Sequence, residues 1–214
     1  PPVAGSEEQR AYWVTPTILA WPLSLLPRGM DRGVIVTDAG DPLPGSGLAL
    51  RLITAPDGGA AAIHGRILGA DGMPSPTLTP LRIVGNLPGE ILAAHPNLEG
   101  YIALSATGIA GTPPLDNDAV ASALTGQVAI AQYVEAPDPP EDADISDAHL
   151  DAFTGVQTAI LLDHLYAEAA TRAELGVTFT GGLPSFALWA PTAKTVTLLT
   201  WQTGDPLGSV PEVP

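Results

Sequence analysis

The sequence contains no cysteine. That absence excludes disulfides, thiolate metal sites and a cysteine nucleophile, and it leaves the redox compartment open. Positive charge is scarce: 8 Lys and Arg face 23 Asp and Glu, a formal charge of −15, and Lys194 is the single lysine. So acidic a chain repels phosphate backbones and anionic lipid surfaces, which disfavours nucleic acid and membranes as partners. No apolar run approaches the roughly 20 residues that span a bilayer. The opening Pro1-Pro2-Val3-Ala4-Gly5-Ser6 lacks the basic, then apolar, then small-residue order of a signal peptide, and reads as a linker or a processed end. The linker-like start and the single lysine favour secretion over a cytoplasmic location.

Turn formers, by contrast, are plentiful. Gly and Pro number 23 each among 214 residues, which argues against a helical bundle and for short strands joined by turns. Hydrophobic residues make up 45%, enough for a core and against disorder throughout. The length suits one large domain or two small ones.

Along the chain, residues 1–10 read as a flexible linker. Strands are predicted at Ala11–Val14, Ile18–Trp21, Val34–Val36, Leu48–Ile53, Ile63–Leu68, Leu81–Val84 and Gly100–Leu104. Asp116-Asn117-Asp118 caps a short helix over Ala119–Leu124, with Gly126 as its stop. Gln127–Val134 alternates cleanly: Val128, Ile130 and Gln132 face one way, Ala129, Ala131 and Tyr133 the other. The stretch 135–151 changes character. It holds seven Asp and Glu, three prolines and no basic residue, and reads as an exposed acidic loop. Thr158–Leu175 is the strong helix signal, closed by Gly176. Phe186–Ala190 and Thr195–Trp201 flank Pro191-Thr192-Ala193-Lys194 and predict a hairpin. A hairpin is marginal alone, so this second β region reads as the beginning of a larger one.

Local chemistry gives no catalytic constellation. Asp142, Asp144 and Asp147 offer alternating oxygens to calcium but lack the turn glycine and closing glutamate of an EF-hand loop, so a solvated loop is the simpler reading. His64, His95, His149 and His164 have no i, i+4 spacing for zinc. There is no Gly-x-Ser-x-Gly elbow. The Gly-Gly pairs at 58–59 and 181–182 have the wrong context for phosphate. Asp163 next to His164 reads as the wet face of the helix. Trp13, Trp21 and Trp189 read as core or interface. Trp201, beside Gln202 and Thr203, is the tryptophan best placed to stay exposed and stack on a sugar ring, and is the candidate carbohydrate-binding residue. No metal ligand or cofactor site is assigned.

Three segments resemble one family. Ala11-Tyr12-Trp13-Val14 with Ile18-Leu19-Ala20-Trp21-Pro22 looks like the opening of the pullulanase-type α-1,6-glucosidases, the pullulanase and limit dextrinase group of the α-amylase superfamily. Thr154-Gly155-Val156-Gln157 with Leu161-Leu162-Asp163-His164-Leu165-Tyr166 is similar to the stretch after that family's first β domain. Thr158-Ala159-Ile160 replaces an apolar-Pro-Gly stretch, and His164 stands where an aspartate is common. Phe186–Ala193 looks like the first hairpin of the starch-type binding module that precedes the catalytic (β/α)₈ barrel.

The resemblance implies a mainly β chain. A β-sandwich-like N-terminal domain spans 11–153 and includes the acidic loop 135–151. A connecting helix spans 154–176, and 177–214 begin an immunoglobulin-like starch-binding β-sandwich. The family's catalytic residues sit in the (β/α)₈ barrel, whose motifs do not occur here, so no catalytic residue carries over. The implied function is the non-catalytic N-terminal part of an enzyme cleaving α-1,6-glucosidic bonds in starch and pullulan. Its partners would be the catalytic barrel, on the same polypeptide or a nicked second chain, and α-glucan. Calcium would be a property of the parent enzyme. The alternative is a free-standing glucan-binding or structural β module.

Overall fold

The computed structural model describes residues 4–5, 7–35, 37, 47–55, 60–63, 66–69, 76–107, 115–134 and 150–201, with backbone only at 34, 60–63 and 66–69. The chain divides after Ala173 into two compact units.

The first unit is built on β1 (Gln9–Thr15), β2 (Ile18–Pro22), β3 (Leu48–Ala55), β4 (Ala60–Ile63), β5 (Arg66–Gly69), β6 (Thr77–Asn86), β7 (Tyr101–Ser105), β8 (Gln127–Val134) and β9 (Leu150–Gln157). Seven of these strands close into a barrel in the order β1-β2-β7-β6-β3-β8-β9, while β4 and β5 pair separately. All the barrel contacts are antiparallel except the seam, where β1 lies parallel to β9.

The expected sandwich-like domain is therefore a closed barrel. Two open sheets would leave strand edges with unpaired N–H and C=O groups, and closure removes them. Period-2 alternation fills the interior with Trp13, Leu19, Trp21, Leu50, Leu52, Ile102, Leu104 and Ile130. On β8 the alternation falls as the sequence predicts: Val128 and Ile130 join the interior, and Ala129, Ala131 and Tyr133 join Ile53 and Phe153 in a separate cluster. A third cluster gathers Val14 and Ala20 with Leu87, Leu98 and Ala103, and Ile91 and Leu92 of α2 (Gly89–Ala94) pack against it.

Helix α3 (Asn117–Leu124) is capped within the expected Asp116–Asp118 stretch and begins at Asn117, two residues before the expected Ala119. The Asp116 Oδ1 accepts from the Ala119 N–H at 2.7 Å, and Val120, Ala123 and Leu124 are buried in the core. Helix α4 (Ala159–Arg172) packs on β1 and buries Leu161.

Within the first unit four further expectations need correction. Residues 1–10 do not form a free linker throughout. Gln9 and Arg10 are strand, and the Phe153 N–H donates to the Ala4 carbonyl at 2.9 Å. The connecting helix does not start at 154, because Thr154–Gln157 are still β9. Of the strand expected at Val34–Val36, Val34 and Ile35 are helical: Arg32–Ile35 is a single helical turn, α1, which buries Ile35 in the core, and Val36 lies outside the described residues. Ile63–Leu68 is split between β4 and β5.

The second unit holds β10 (Gly176–Thr180) and β11 (Leu183–Ala187), an antiparallel pair. The hairpin is thus one strand earlier than expected: Phe186 and Ala187 pair back with Val177 and Gly176, and Thr195–Leu199 are not strand. The physical reason is the turn. Gly181 and Gly182 take φ of 60° and 85°, the two positive values that a two-residue hairpin loop of the tight, primed kind requires. Pro191-Thr192-Ala193-Lys194 has no glycine to supply them.

Candidate functional site

The segment Thr154-Gly155-Val156-Gln157 proves to be the seam that closes the barrel. The Thr154 hydroxyl accepts from the Arg10 N–H at 3.0 Å and donates to the Glu8 carbonyl at 2.9 Å. The Gly155 N–H donates to the same carbonyl at 2.9 Å. Gln157 donates its side-chain amide to the Gln9 carbonyl at 2.7 Å, and Val156 is buried in the core. Glycine is needed at 155 for space: a Cβ there would sit 2.8 Å from the Gln9 Cγ and 3.3 Å from the Glu8 carbonyl oxygen.

Beside this seam lies a groove of ≈ 470 Å³. Glu7, Glu8 and Gln9 form one wall, and Gly126, Gln127 and Val128 at the start of β8 form the other. Phe153, Gly155 and Val156 lie along β9, and Thr158 joins at the start of α4. Among the described residues no lysine or arginine lines it. The Glu8 carboxylate is held 3.2 Å from the Arg10 guanidinium, which also donates to the Ser24 hydroxyl at 3.0 Å. Thr158 occupies the N-cap of α4 but makes no side-chain cap bond. The sequence reading missed this groove because it assigned Glu7–Gln9 to a linker.

Inside the barrel a second polar assembly was hidden in the alternation of β8. Gln132 is fully buried. Its Oε1 accepts from the Trp21 indole N–H at 3.0 Å, and its Nε2 donates to the Leu25 carbonyl at 2.7 Å and to the Asp151 carboxylate at 2.8 Å. A polar residue in an apolar inward row was the available signal. Trp13, also fully buried, has an indole N–H with no hydrogen-bond partner among the described residues.

Among the described residues two groups are perturbed. Burial lowers the Arg51 pKa, an effect opposed by Tyr133; Arg51 also donates to the Leu50 carbonyl at 3.0 Å. Burial, reinforced by Tyr12, raises the Tyr101 pKa against the smaller effect of Arg10; the two tyrosine rings meet edge-on at 5.6 Å.

Of the residues singled out from sequence, Trp13 and Trp21 are core and Trp189 and Trp201 are exposed at 39% and 38%. Asp163 and His164 are both exposed on α4, and His95 is half-buried after α2. His64, His149, Gly58-Gly59 and the acidic residues from Glu135 to Asp147 lie outside the described residues. Among the described residues no three His, Asp or Glu gather to hold a metal, and no helix is long and apolar enough to cross a membrane.

No protein-family model matches the chain, and no curated protein does. Solved structures do. PulA from Klebsiella oxytoca matches over 98% of this chain and 15% of its own length, at 25% identity and a TM-score of 0.58. Apo pullulanase from Klebsiella pneumoniae matches over 90% of this chain and 15% of its own, at 24% identity and a TM-score of 0.54. A maltotriose complex of PulA from the same organism matches over 90% and 16%, at 24% identity and a TM-score of 0.55. The structural neighbours are thus pullulanases, and this chain spans about 15% of their length.

Proposed function

We propose that this chain is a non-catalytic, N-terminal part of a pullulanase-type debranching hydrolase. Its work is to support the catalytic (β/α)₈ barrel and to contact α-glucan. One observation carries the reading: the likeness to Klebsiella oxytoca PulA extends over 98% of this chain yet only 15% of that enzyme.

The hairpin supports the same reading. Its register places Val177 and Phe186, then Phe179 and Pro184, on one face. Val177, Phe179 and Phe186 are 51%, 71% and 59% exposed. An apolar face on a two-stranded sheet calls for cover. In this proposal the cover is the rest of an immunoglobulin-like, starch-binding sandwich, with Trp201 as a sugar-stacking platform. The catalytic barrel, on the same polypeptide or a nicked second chain, supplies the retaining chemistry of two close carboxylates.

A second reading has one observation in its favour. The first unit is a barrel closed on itself, which suits a free-standing glucan-binding or structural module. Two assays decide. The isolated chain should release no reducing sugar from pullulan, and it should be retarded in electrophoresis through starch, less so after Trp201→Ala. Pullulan hydrolysis by the isolated chain would refute the non-catalytic assignment. Unaltered mobility in starch would leave support alone.

A further inference from the structure

We infer that the outer edge of β10 is an interaction surface for a second copy of this chain, and that two copies join there, β10 against β10, into one four-stranded antiparallel sheet. The inference does not depend on the function proposed above. It uses the edge of the hairpin and leaves the apolar face of Val177, Phe179 and Phe186 open to the cover described there.

The register decides which main-chain groups face outward. Antiparallel pairs alternate between those that exchange hydrogen bonds and those that do not. The two-residue loop Gly181-Gly182 makes the flanking Thr180–Leu183 pair a bonded one, so the next pair, Phe179–Pro184, is of the unbonded kind. The proline agrees, since it has no N–H to give. Val177–Phe186, two residues further on, is unbonded too. Residues in such pairs turn their N–H and C=O groups away from the strand they face. β10 therefore presents the N–H and C=O of Val177 and of Phe179 along its outer edge. β11 presents those of Phe186 and only the carbonyl of Pro184. A further strand is accepted on β10 and blunted on β11.

Proteins protect open edges with charges, proline or bulges. β10 has none of these. It reads Gly-Val-Thr-Phe-Thr, its five residues are exposed, and its register with β11 is unbroken. Val, Thr and Phe favour strands. Residues 175–193 hold no charged side chain, in a chain of formal charge −15. Two copies meet along this stretch without like charges coming face to face, and a charged partner finds no counter-charge.

The edge is also self-complementary. With a two-fold axis at Thr178, Val177 of each copy faces Phe179 of the other, and each such pair exchanges two hydrogen bonds. The Val177 and Phe179 side chains also pair across the new seam on one face. The far edges of this sheet are the two β11 strands, each lacking the donor at Pro184. The contact is therefore closed at two copies rather than propagated into a fibre.

The chain has no cysteine, so a single introduced one reports cleanly. Thr178 lies on the axis in an unbonded pair, where Cα atoms stand about 4.5 Å apart, within disulfide reach. In the whole 214-residue chain, Thr178→Cys should form a covalent dimer in glutathione redox buffer about tenfold or more faster than Ser185→Cys, its neighbour on β11. Sedimentation velocity of the unsubstituted chain should show a reversible monomer–dimer equilibrium at sub-millimolar protein, tightening as salt screens the net negative charge. Thr178→Lys should weaken that dimer about tenfold or more by setting two cations face to face, although it makes the chain less negative overall. If a variant unfolds, sedimentation of the unsubstituted chain decides alone. A monomer up to millimolar protein at every salt concentration overturns the inference, as does equal cross-linking at 178 and 185. A dimer that Thr178→Lys leaves intact is held elsewhere and overturns it too. Assembly beyond the dimer overturns the closure at Pro184.

Discussion

Replacing Gln132 by leucine keeps about the same volume but removes the buried amide from the centre of the barrel. Three partners lose a bond: the Trp21 indole N–H, the Leu25 carbonyl and the Asp151 carboxylate. Trp21 is fully buried and Leu25 is 4% exposed, so water does not replace the lost partner at either. Each orphaned group costs about 1–3 kcal/mol. Asp151 is only half-buried and rehydrates at little cost. Burying leucine in place of the amide returns about 1–2 kcal/mol of transfer energy. The net loss centres on about 2.5 kcal/mol within a range of about 0–5, a large share of the 5–15 kcal/mol that typically holds a domain together. Urea unfolding followed by tryptophan fluorescence reads this directly, because the buried Trp13 and Trp21 report on the barrel. The midpoint should fall with the slope preserved. The control is Gln132→Leu combined with Trp21→Phe. Phenylalanine has no N–H to orphan, so the two losses should be sub-additive by about 1 kcal/mol or more. A Gln132→Leu variant as stable as wild type, or strictly additive losses, would refute the claim that the amide is held there by unsatisfiable neighbours.

Two further predictions concern the seam and the pH response. Gly155→Ala should cost about 1–3 kcal/mol, because the new methyl meets the Gln9 Cγ at 2.8 Å; hydrogen exchange at the Arg10 and Gly155 amides should accelerate more than exchange on β3, and uniform protection would count against the seam as the weak point. Tyr101 has a folded pKa raised above its ordinary value of 10.0, chiefly by burial. Its neutral form is therefore favoured by the fold: its contribution is fully present below pH 10 and is lost as pH rises through the folded pKa. Tyr101→Phe should shrink the alkaline loss of stability above pH 10, and an unchanged alkaline unfolding curve would remove Tyr101 from the explanation.

How much of this was legible in the sequence depends on how local the determinant was. The alternation of Gln127–Val134 gave both the strand and its two faces, because a pleated strand sends successive side chains to opposite sides whatever it pairs with. The cap at Asp116 was equally readable, since a side-chain oxygen reaching an amide three residues on needs no distant partner. The shortage of cations and the absence of cysteine bounded the chemistry without any structure at all. The motif resemblance pointed to pullulanases, and solved pullulanase structures are similar to this chain.

Only the tertiary structure decided what Glu7–Gln9 and Thr154–Gln157 do. They are about 145 residues apart, as the Arg10–Thr154 separation of 144 shows, and each looks weak alone: an acidic start after a Pro-Gly opening, and a short run with a glycine in it. Their pairing closes the barrel and forms the groove, and no local propensity encodes a partner that far away. The same holds for Gln132: alternation sets it in one row with Val128 and Ile130, but its partners Trp21 and Leu25, 111 and 107 residues distant, meet it only in the closed barrel. Sequence periodicity fixes which way a side chain points; only closure of the chain fixes what it meets there.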